Sequence, residues 1–350
     1  MTDDPLWRPS PTAGAALNGL ARLCSDRSRR PISGFRALHA YSVDDLSGFW
    51  DAVWDDVGII GEKGDAVLTD DDKMPGAHFF PGAQLNFAEN CLIGDPHAEA
   101  IVFRCEDHHE SRMTRAELSA AVAKMEGFLA DVGVEAGDRV AAMLPNTPET
   151  IVVALATAAL GAVFSSCSPD FGERGVLDRF GQIEPKVFVT CDGYWYNAKP
   201  IDNTAKVMAV ATALLPKAVV VVPFLDEIHA NDLTHQVPDA ISYATIMTRA
   251  ETVPTFRRMP FEAPLYILFS SGTTGVPKCI VHSVGGTLLQ HRKEHCYHCD
   301  IQAGDRVFYF TTCGWMMWNW LLTALASDVT LVLYDGSPFS PSPTVLWDYA

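Results

Sequence analysis

The chain has 350 residues, with 26 basic against 43 acidic side chains and a formal net charge of −17 at pH 7. That acidity, with no basic stripe, excludes a nucleic-acid binder that works by neutralising backbone phosphates. Apolar residues make up 48% and charged residues 20%, which supports a large core and excludes a disordered chain.

The start, Met1-Thr-Asp-Asp-Pro5, lacks the basic segment of a secretory signal. The longest apolar run, Ile151 to Phe164, is too short to span a bilayer, so no membrane role is expected. Nine cysteines, an odd and scattered set, fit reduced thiols in the cytoplasm better than a disulfide framework. The N-terminal part to about residue 90 reads as a cap region with Trp7, Phe49, Trp50 and Trp54 as packing anchors. Beyond it, strand-like runs at Val140 to Leu144, Val187 to Thr190, Val219 to Val222, Leu265 to Phe269 and Val329 to Tyr334 alternate with helical stretches, the pattern of an α/β sheet protein. A helix over Glu149 to Ala162 follows Thr147, a capping residue, and Pro148, which suits the first helical position. The pentapeptide Ala136-Gly-Asp-Arg-Val140 recurs as Ala303-Gly-Asp-Arg-Val307. Each copy is a turn feeding a strand and then an apolar helix, which hints at two similar α/β units.

The strongest chemical signal is Ser270-Ser-Gly-Thr-Thr-Gly-Val-Pro-Lys278, directly after the apolar run Leu265 to Phe269. Ser270, Ser271, Thr273 and Thr274 supply four hydroxyls. Gly272 and Gly275 let backbone N–H groups approach a ligand, and Lys278 ends the segment with a cation. Neither better-known nucleotide loop fits. A Walker loop needs Gly-Lys-Ser/Thr together, and a dinucleotide loop needs three spaced glycines opening a helix. The segment is therefore suited to a polyphosphate, against the alternative of a polar strand-to-helix turn without a ligand.

Further on, Gly314-Trp315-Met316-Met317-Trp318-Asn319-Trp320 follows a strand-like Val307 to Phe310 and opens an apolar helix running through Leu325. Large apolar groups at helical spacing fit either a core helix or the wall of a small site. Cys296-Tyr-His-Cys299, with His291 and His295 before it, offers zinc-type ligands but only one Cys pair, and reads as an ordinary helix without a metal. His282 fits a nucleotide contact or simple packing.

The nine-residue loop matches the phosphate-loop signature of the adenylate-forming superfamily of acyl-CoA synthetases, and the chain resembles that superfamily. Ser165-Ser-Cys-Ser-Pro-Asp-Phe-Gly172, Arg179-Phe-Gly-Gln-Ile-Glu-Pro-Lys186, His291-Arg-Lys-Glu-His295 and Thr311 to Trp320 are similar to the acetoacetyl-CoA synthetase family within it. So are Asn86-Phe-Ala-Glu-Asn90 and Leu144-Pro-Asn-Thr-Pro-Glu149. The resemblance implies an α/β fold, the N-terminal large domain of the adenylate-forming architecture with two stacked α/β subdomains. Residues 1–90 would form the cap, and 91–350 an AMP-binding large domain.

The implied reaction has two steps. A carboxylate, here acetoacetate or another short acid, attacks the α-phosphorus of ATP with Mg²⁺ present, and the CoA thiol then attacks the acyl-adenylate. Lys278 and the loop amides would stabilise the charge of the departing pyrophosphate. Trp315, Met316, Met317 and Asn319 would line the acyl pocket. Lys199, in Asp192-Gly-Tyr-Trp-Tyr-Asn-Ala-Lys199, lies where related enzymes carry an arginine for the CoA phosphate; by sequence alone it reads as a solvated surface lysine. Two departures stand out. Asp328-Val329 occupies a place where the family usually has Gly-Ala, so an altered turn is expected. Ala350 arrives before the adenine segment, the ribose-binding aspartate and the small C-terminal domain, so the large domain is expected to be truncated, with a noncatalytic nucleotide-binding fragment as the rival to an active ligase.

Overall fold

The computed structural model describes residues 8, 12–250, 252–270 and 275–350. In chain order, the strands that build its two main sheets are β1 (Glu99–Cys105), β2 (His109–Thr114), β3 (Arg139–Met143), β4 (Val163–Cys167), β5 (Val187–Cys191), β6 (Ala218–Val222), β7 (Ala240–Ser242), β8 (Pro264–Phe269), β9 (Cys279–Ser283), β10 (Arg306–Phe308) and β11 (Thr330–Asp335). The larger sheet has seven strands in the order β7-β6-β5-β3-β4-β8-β9. It is parallel except for its last pair, where β9 runs antiparallel to β8. The smaller has four, in the order β10-β11-β1-β2, with only β2 antiparallel. Parallel strands connected by helices are covered on both faces, so their residues are buried on both sides and mostly apolar. Accordingly β4, β5 and β6 are buried at every residue.

Helices α1 (Ala15–Ser28), α2 (Gly34–Asp44) and α3 (Leu46–Asp56) pack on one another near the start of the described residues. Phe49 and Trp54 are buried and Trp50 is half-buried, whereas Trp7 lies outside the described residues. Trp54, Phe80 and Phe261 form one aromatic cluster with centroids 4.8 to 6.4 Å apart, so α3 shares a core with the segment before β8. Helices α4 (Arg115–Asp131) and α5 (Pro148–Ala159) pack on each other, α4 also touching the four-stranded sheet and α5 the seven-stranded one. Thr147 holds the N-cap position of α5 with Pro148 next, as expected, but its hydroxyl makes no capping bond. It faces the Thr150 hydroxyl at 3.5 Å instead. The helix ends at Ala159 because Gly161 turns the chain at φ 71° into β4.

The repeated pentapeptide makes the same turn twice. Gly137 and Gly304 take left-handed φ of 84° and 86°, a region that only glycine enters freely. The following aspartates accept from the residue three back, Glu135 N to Asp138 Oδ2 and Gln302 N to Asp305 Oδ2, both 2.8 Å. The first copy then feeds β3, α5 and β4. The second feeds β10, α7 (Met316–Thr323) with a closing 3₁₀ turn, and β11. Gly161 and Asp328 hold equivalent places, accepting from Gly137 N and Gly304 N respectively. The expected alteration at Asp328 does not occur: it adopts φ 57° like its glycine counterpart, a conformation aspartate tolerates. Its carboxylate lies 3.0 Å from the buried Arg115 guanidinium. Among the described residues, no helix is long and apolar enough to cross a membrane.

Candidate active site

The polyphosphate-type loop is the connection of a hairpin, β8 to β9, rather than a turn from strand to helix. Its base is closed by Ser270 N donating to Lys278 O at 2.9 Å and Lys278 N donating to Ser270 Oγ at 3.2 Å. Gly275 takes φ 89°, and Gln182 Nε2 braces the far side by donating to Pro277 O at 2.8 Å. Lys278 is exposed, so its ammonium is available to a ligand. Ser271, Gly272, Thr273 and Thr274 lie outside the described residues.

From Lys278 the strand β9 runs directly into a cleft. This cavity of about 710 Å³ lies between Val281, His282 and Ser283 of β9, helix α6 (Val284–Lys293), and α7. Its walls include Met316, Met317 and Trp320 from α7, and Gly286, Thr287, Gln290, His291 and Glu294 from α6 and the turn after it. Two of the four expected acyl-pocket residues, Met316 and Met317, therefore meet His282 in one cleft. The other two do not line it. Asn319 is 2% exposed and its amide points back along the helix to Trp315 O, at 3.5 Å. Trp315, at the N-cap of α7, is 64% exposed. The fully buried tryptophan is Trp318, whose Nε1 donates to Asn146 Oδ1 at 2.9 Å.

The cleft is poor in charge. Among the described residues no lysine or arginine lines it, and its acid is Glu294. His282 stacks on its cross-strand neighbour Tyr266 with ring centroids 4.9 Å apart, and burial holds its pKa below the ordinary histidine value. His291 is pushed down to about 3 by burial and by the neighbouring His295, while its Nδ1 meets Thr323 Oγ1 at 2.9 Å. These imidazoles are neutral at pH 7, so the cleft suits an uncharged polar group held among methionines and a tryptophan.

The zinc-type stretch is not the ordinary helix expected. Cys299 N donates to Glu294 O at 3.0 Å, a bond spanning five residues that makes 294–298 a π-helical turn. The turn sends its side chains apart. His295 is buried edge-on to Trp320 at 4.5 Å, whereas Cys299 is exposed and lines the cleft. Gly286, Thr287 and Gln290 of α6 escaped sequence reasoning, although Gly286, Gln290 and Glu294 recur every fourth position, a helical stripe that periodicity can reveal. Lys199 lies elsewhere, on an exposed hairpin of strands Gly193–Tyr196 and Lys199–Asp202.

A seven-stranded sheet thus carries a serine- and glycine-bearing hairpin at one edge, with a neutral cleft beside it. The chain belongs to the AMP-binding enzyme family, whose model matches residues 89–350. A second model, the acetyl-coenzyme A synthetase N-terminus, matches residues 35–91. Over its full length the chain is 52% identical to the acetoacetyl-coenzyme A synthetase of Rhizobium meliloti (strain 1021), covering 54% of that protein. It is 37% identical to malonamoyl-CoA synthetase of Penicillium aethiopicum, with 98% of the chain and 49% of the relative covered. The solved structure of acetoacetyl-CoA synthetase from Streptomyces lividans superposes with a TM-score of 0.90 at 41% identity, covering 99% of this chain and 54% of that one. The chain thus spans about half the length of the curated relatives it matches.

Proposed function

We propose that the protein serves the ATP-dependent ligation of acetoacetate to CoA through an acyl-adenylate, with AMP and diphosphate as the other products. The observation that carries this reading is the arrangement along β9. A phosphate-type hairpin ending in the exposed Lys278 stands at one end of the strand, and the neutral cleft lined by Val281, His282, Met316 and Met317 at the other. Val281 lies three positions along the chain from Lys278, a reach of about 10 Å in extended strand. An acid whose carboxylate faces the nucleotide can therefore extend its tail into the cleft.

Acetoacetate suits that geometry chemically. Its carboxylate needs the positive end of the site, where Lys278 and hairpin amides stabilise charge on the leaving diphosphate. Its keto group and methyl are uncharged, and neutral His282 is within the cleft to donate to the keto oxygen. Mg²⁺, entering with ATP, supplies further charge neutralisation at the phosphates. Lys199 is the residue we assign to the CoA phosphate. Within this reading residues 1–90 act as the cap and 91–350 as nucleotide- and acyl-binding domain, and the six buried free thiols suit a reducing cytoplasm.

The relative named for malonamoyl-CoA supports a second reading, in which another short 3-oxo acid is used. Acetoacetate-dependent exchange of labelled diphosphate into ATP tests the proposal. Exchange with acetoacetate above that with malonamate supports acetoacetate, the reverse order supports the second reading, and MgATP binding without exchange supports a nucleotide-binding chain. Absence of both exchange and binding overturns all three.

A further inference from the structure

Glu106, in the turn joining β1 to β2, is fully buried and takes φ 44°, a left-handed conformation that glutamate rarely adopts. Its carboxylate gathers three backbone amides from two distant segments. Oε1 accepts from Asn197 N at 2.7 Å and from Ser337 N at 2.8 Å, and Oε2 accepts from Ala198 N at 2.7 Å. Asn197 and Ala198 are the two tip residues of the Gly193–Asp202 hairpin, at φ 54° and 59°, the paired left-handed geometry of a tight hairpin turn. Ser337 follows β11 through Gly336, where a Cβ would come within 2.6 Å of Glu106 Cγ. One carboxylate therefore ties the ends of β1 and β11 in the small sheet to the tip of a hairpin that leaves the large sheet after β5. Asp107 and His108 bring a ligand set for a metal close to it, but both oxygens of Glu106 are already engaged by amides.

The hairpin so held presents a distinctive pair. Tyr196 and Lys199 are directly opposed across its two strands, so their side chains share one face. Tyr196 is 51% exposed and Lys199 is exposed. A free ring beside a free ammonium matches a purine carrying a phosphate, the chemistry at the nucleotide end of CoA. Resting on the assignment of Lys199 above, we propose that Glu106 is a positioning residue: it fixes the hairpin tip so that Tyr196 and Lys199 meet the CoA nucleotide together. Because its bonds are to backbone amides, it sets where the tip sits without touching the ligand.

The test compares the 350-residue chain with Glu106→Ala, Glu106→Gln and Lys199→Ala variants. Amide hydrogen exchange reads the clamp, and calorimetry with CoA, 3′-dephospho-CoA and MgATP reads the site. Loss of charge-assisted bonds should speed exchange at Asn197, Ala198 and Ser337 roughly 100-fold in Glu106→Ala, with β3 to β5 unchanged, and weaken CoA about tenfold while MgATP is unaffected. Glu106→Gln, which keeps the volume and one acceptor oxygen, should fall between and serves if the alanine variant does not fold. Unchanged exchange at the tip overturns the clamp. Faster exchange with normal CoA affinity, while Lys199→Ala is weakened, overturns the positioning role and leaves the CoA assignment standing. Normal CoA affinity in both overturns the assignment and the proposal with it.

Discussion

Replacing Asn146 by alanine should loosen the joint between the two sheets. Asn146 is fully buried just after β3, and it serves four partners at once. Its Oδ1 accepts the Trp318 indole N–H at 2.9 Å, its Nδ2 donates to Tyr334 O at 3.3 Å and to Thr311 O at 3.5 Å, and its backbone N donates to Asp335 Oδ1 at 2.8 Å. The last bond survives substitution. The first leaves an indole N–H buried without an acceptor, at about 1–3 kcal/mol, and the second forfeits a bond worth about 0.5–1.5 kcal/mol. We expect a loss of roughly 2–4 kcal/mol, read as a lower urea midpoint with an unchanged slope. Trp318→Phe removes the donor from the other side, so the double variant should be less destabilised than the sum, with a coupling of about 0.5–3 kcal/mol. A change below about 0.5 kcal/mol for Asn146→Ala, or strict additivity, would refute the reasoning. Since Trp318 lies on the same helix as Met316 and Met317, acetoacetate-dependent exchange should fall in the same variant, ahead of global unfolding.

Lys278→Ala should depress diphosphate exchange roughly 10²-fold by removing a cation from the departing charge; unaltered exchange kinetics would reject that role. Met317→Ala enlarges the cleft and should shift preference from acetoacetate toward bulkier acids, so identical relative rates with acetate, acetoacetate and butyrate would count against its place in the wall. Asp328→Gly relieves a left-handed residue yet strands the buried Arg115 charge; with Asp328 partly exposed, the net loss should be about 1–2 kcal/mol in chemical denaturation, and a stabilised variant would show that the backbone term wins. Burial, with Arg292 adding to it, depresses His295 to about 4. The unfolded chain then binds a proton below about pH 6.5 that the folded chain refuses until about pH 4, so stability falls over that window by roughly 1.4 kcal/mol per pH unit. His295→Phe keeps the edge-on contact with Trp320 and should remove this contribution while leaving that of His291, so urea midpoints at pH 7 and pH 5 should lie closer together than in the parent chain.

The strands were legible because each is predominantly apolar, as in Val187–Cys191 and Ala218–Val222. The pentapeptide echo was legible too, since a left-handed glycine followed by an aspartate that caps its own turn is a local device. Local reading failed where partners are distant in sequence. The hydroxyl of Thr147 suits a cap but leaves the helix amides for Thr150. Asn319 has the chemistry of a substrate contact but turns inward, while the exposed Trp315 lies at the helix start. Nothing around Glu106 in the sequence announces that it binds amides of residues 91, 92 and 231 positions away.

The amino-acid order alone determined the alternation of strands and helices, the hairpin's suitability for phosphate and the family likeness, because each depends on neighbours within a few residues. Only the tertiary structure decided that β8 and β9 pair antiparallel, that α6 and α7 close a neutral cleft on Met316 and Met317, and that one buried carboxylate ties the two sheets together. Those outcomes depend on which surfaces are desolvated against each other, and that is fixed only when segments far apart in the chain meet.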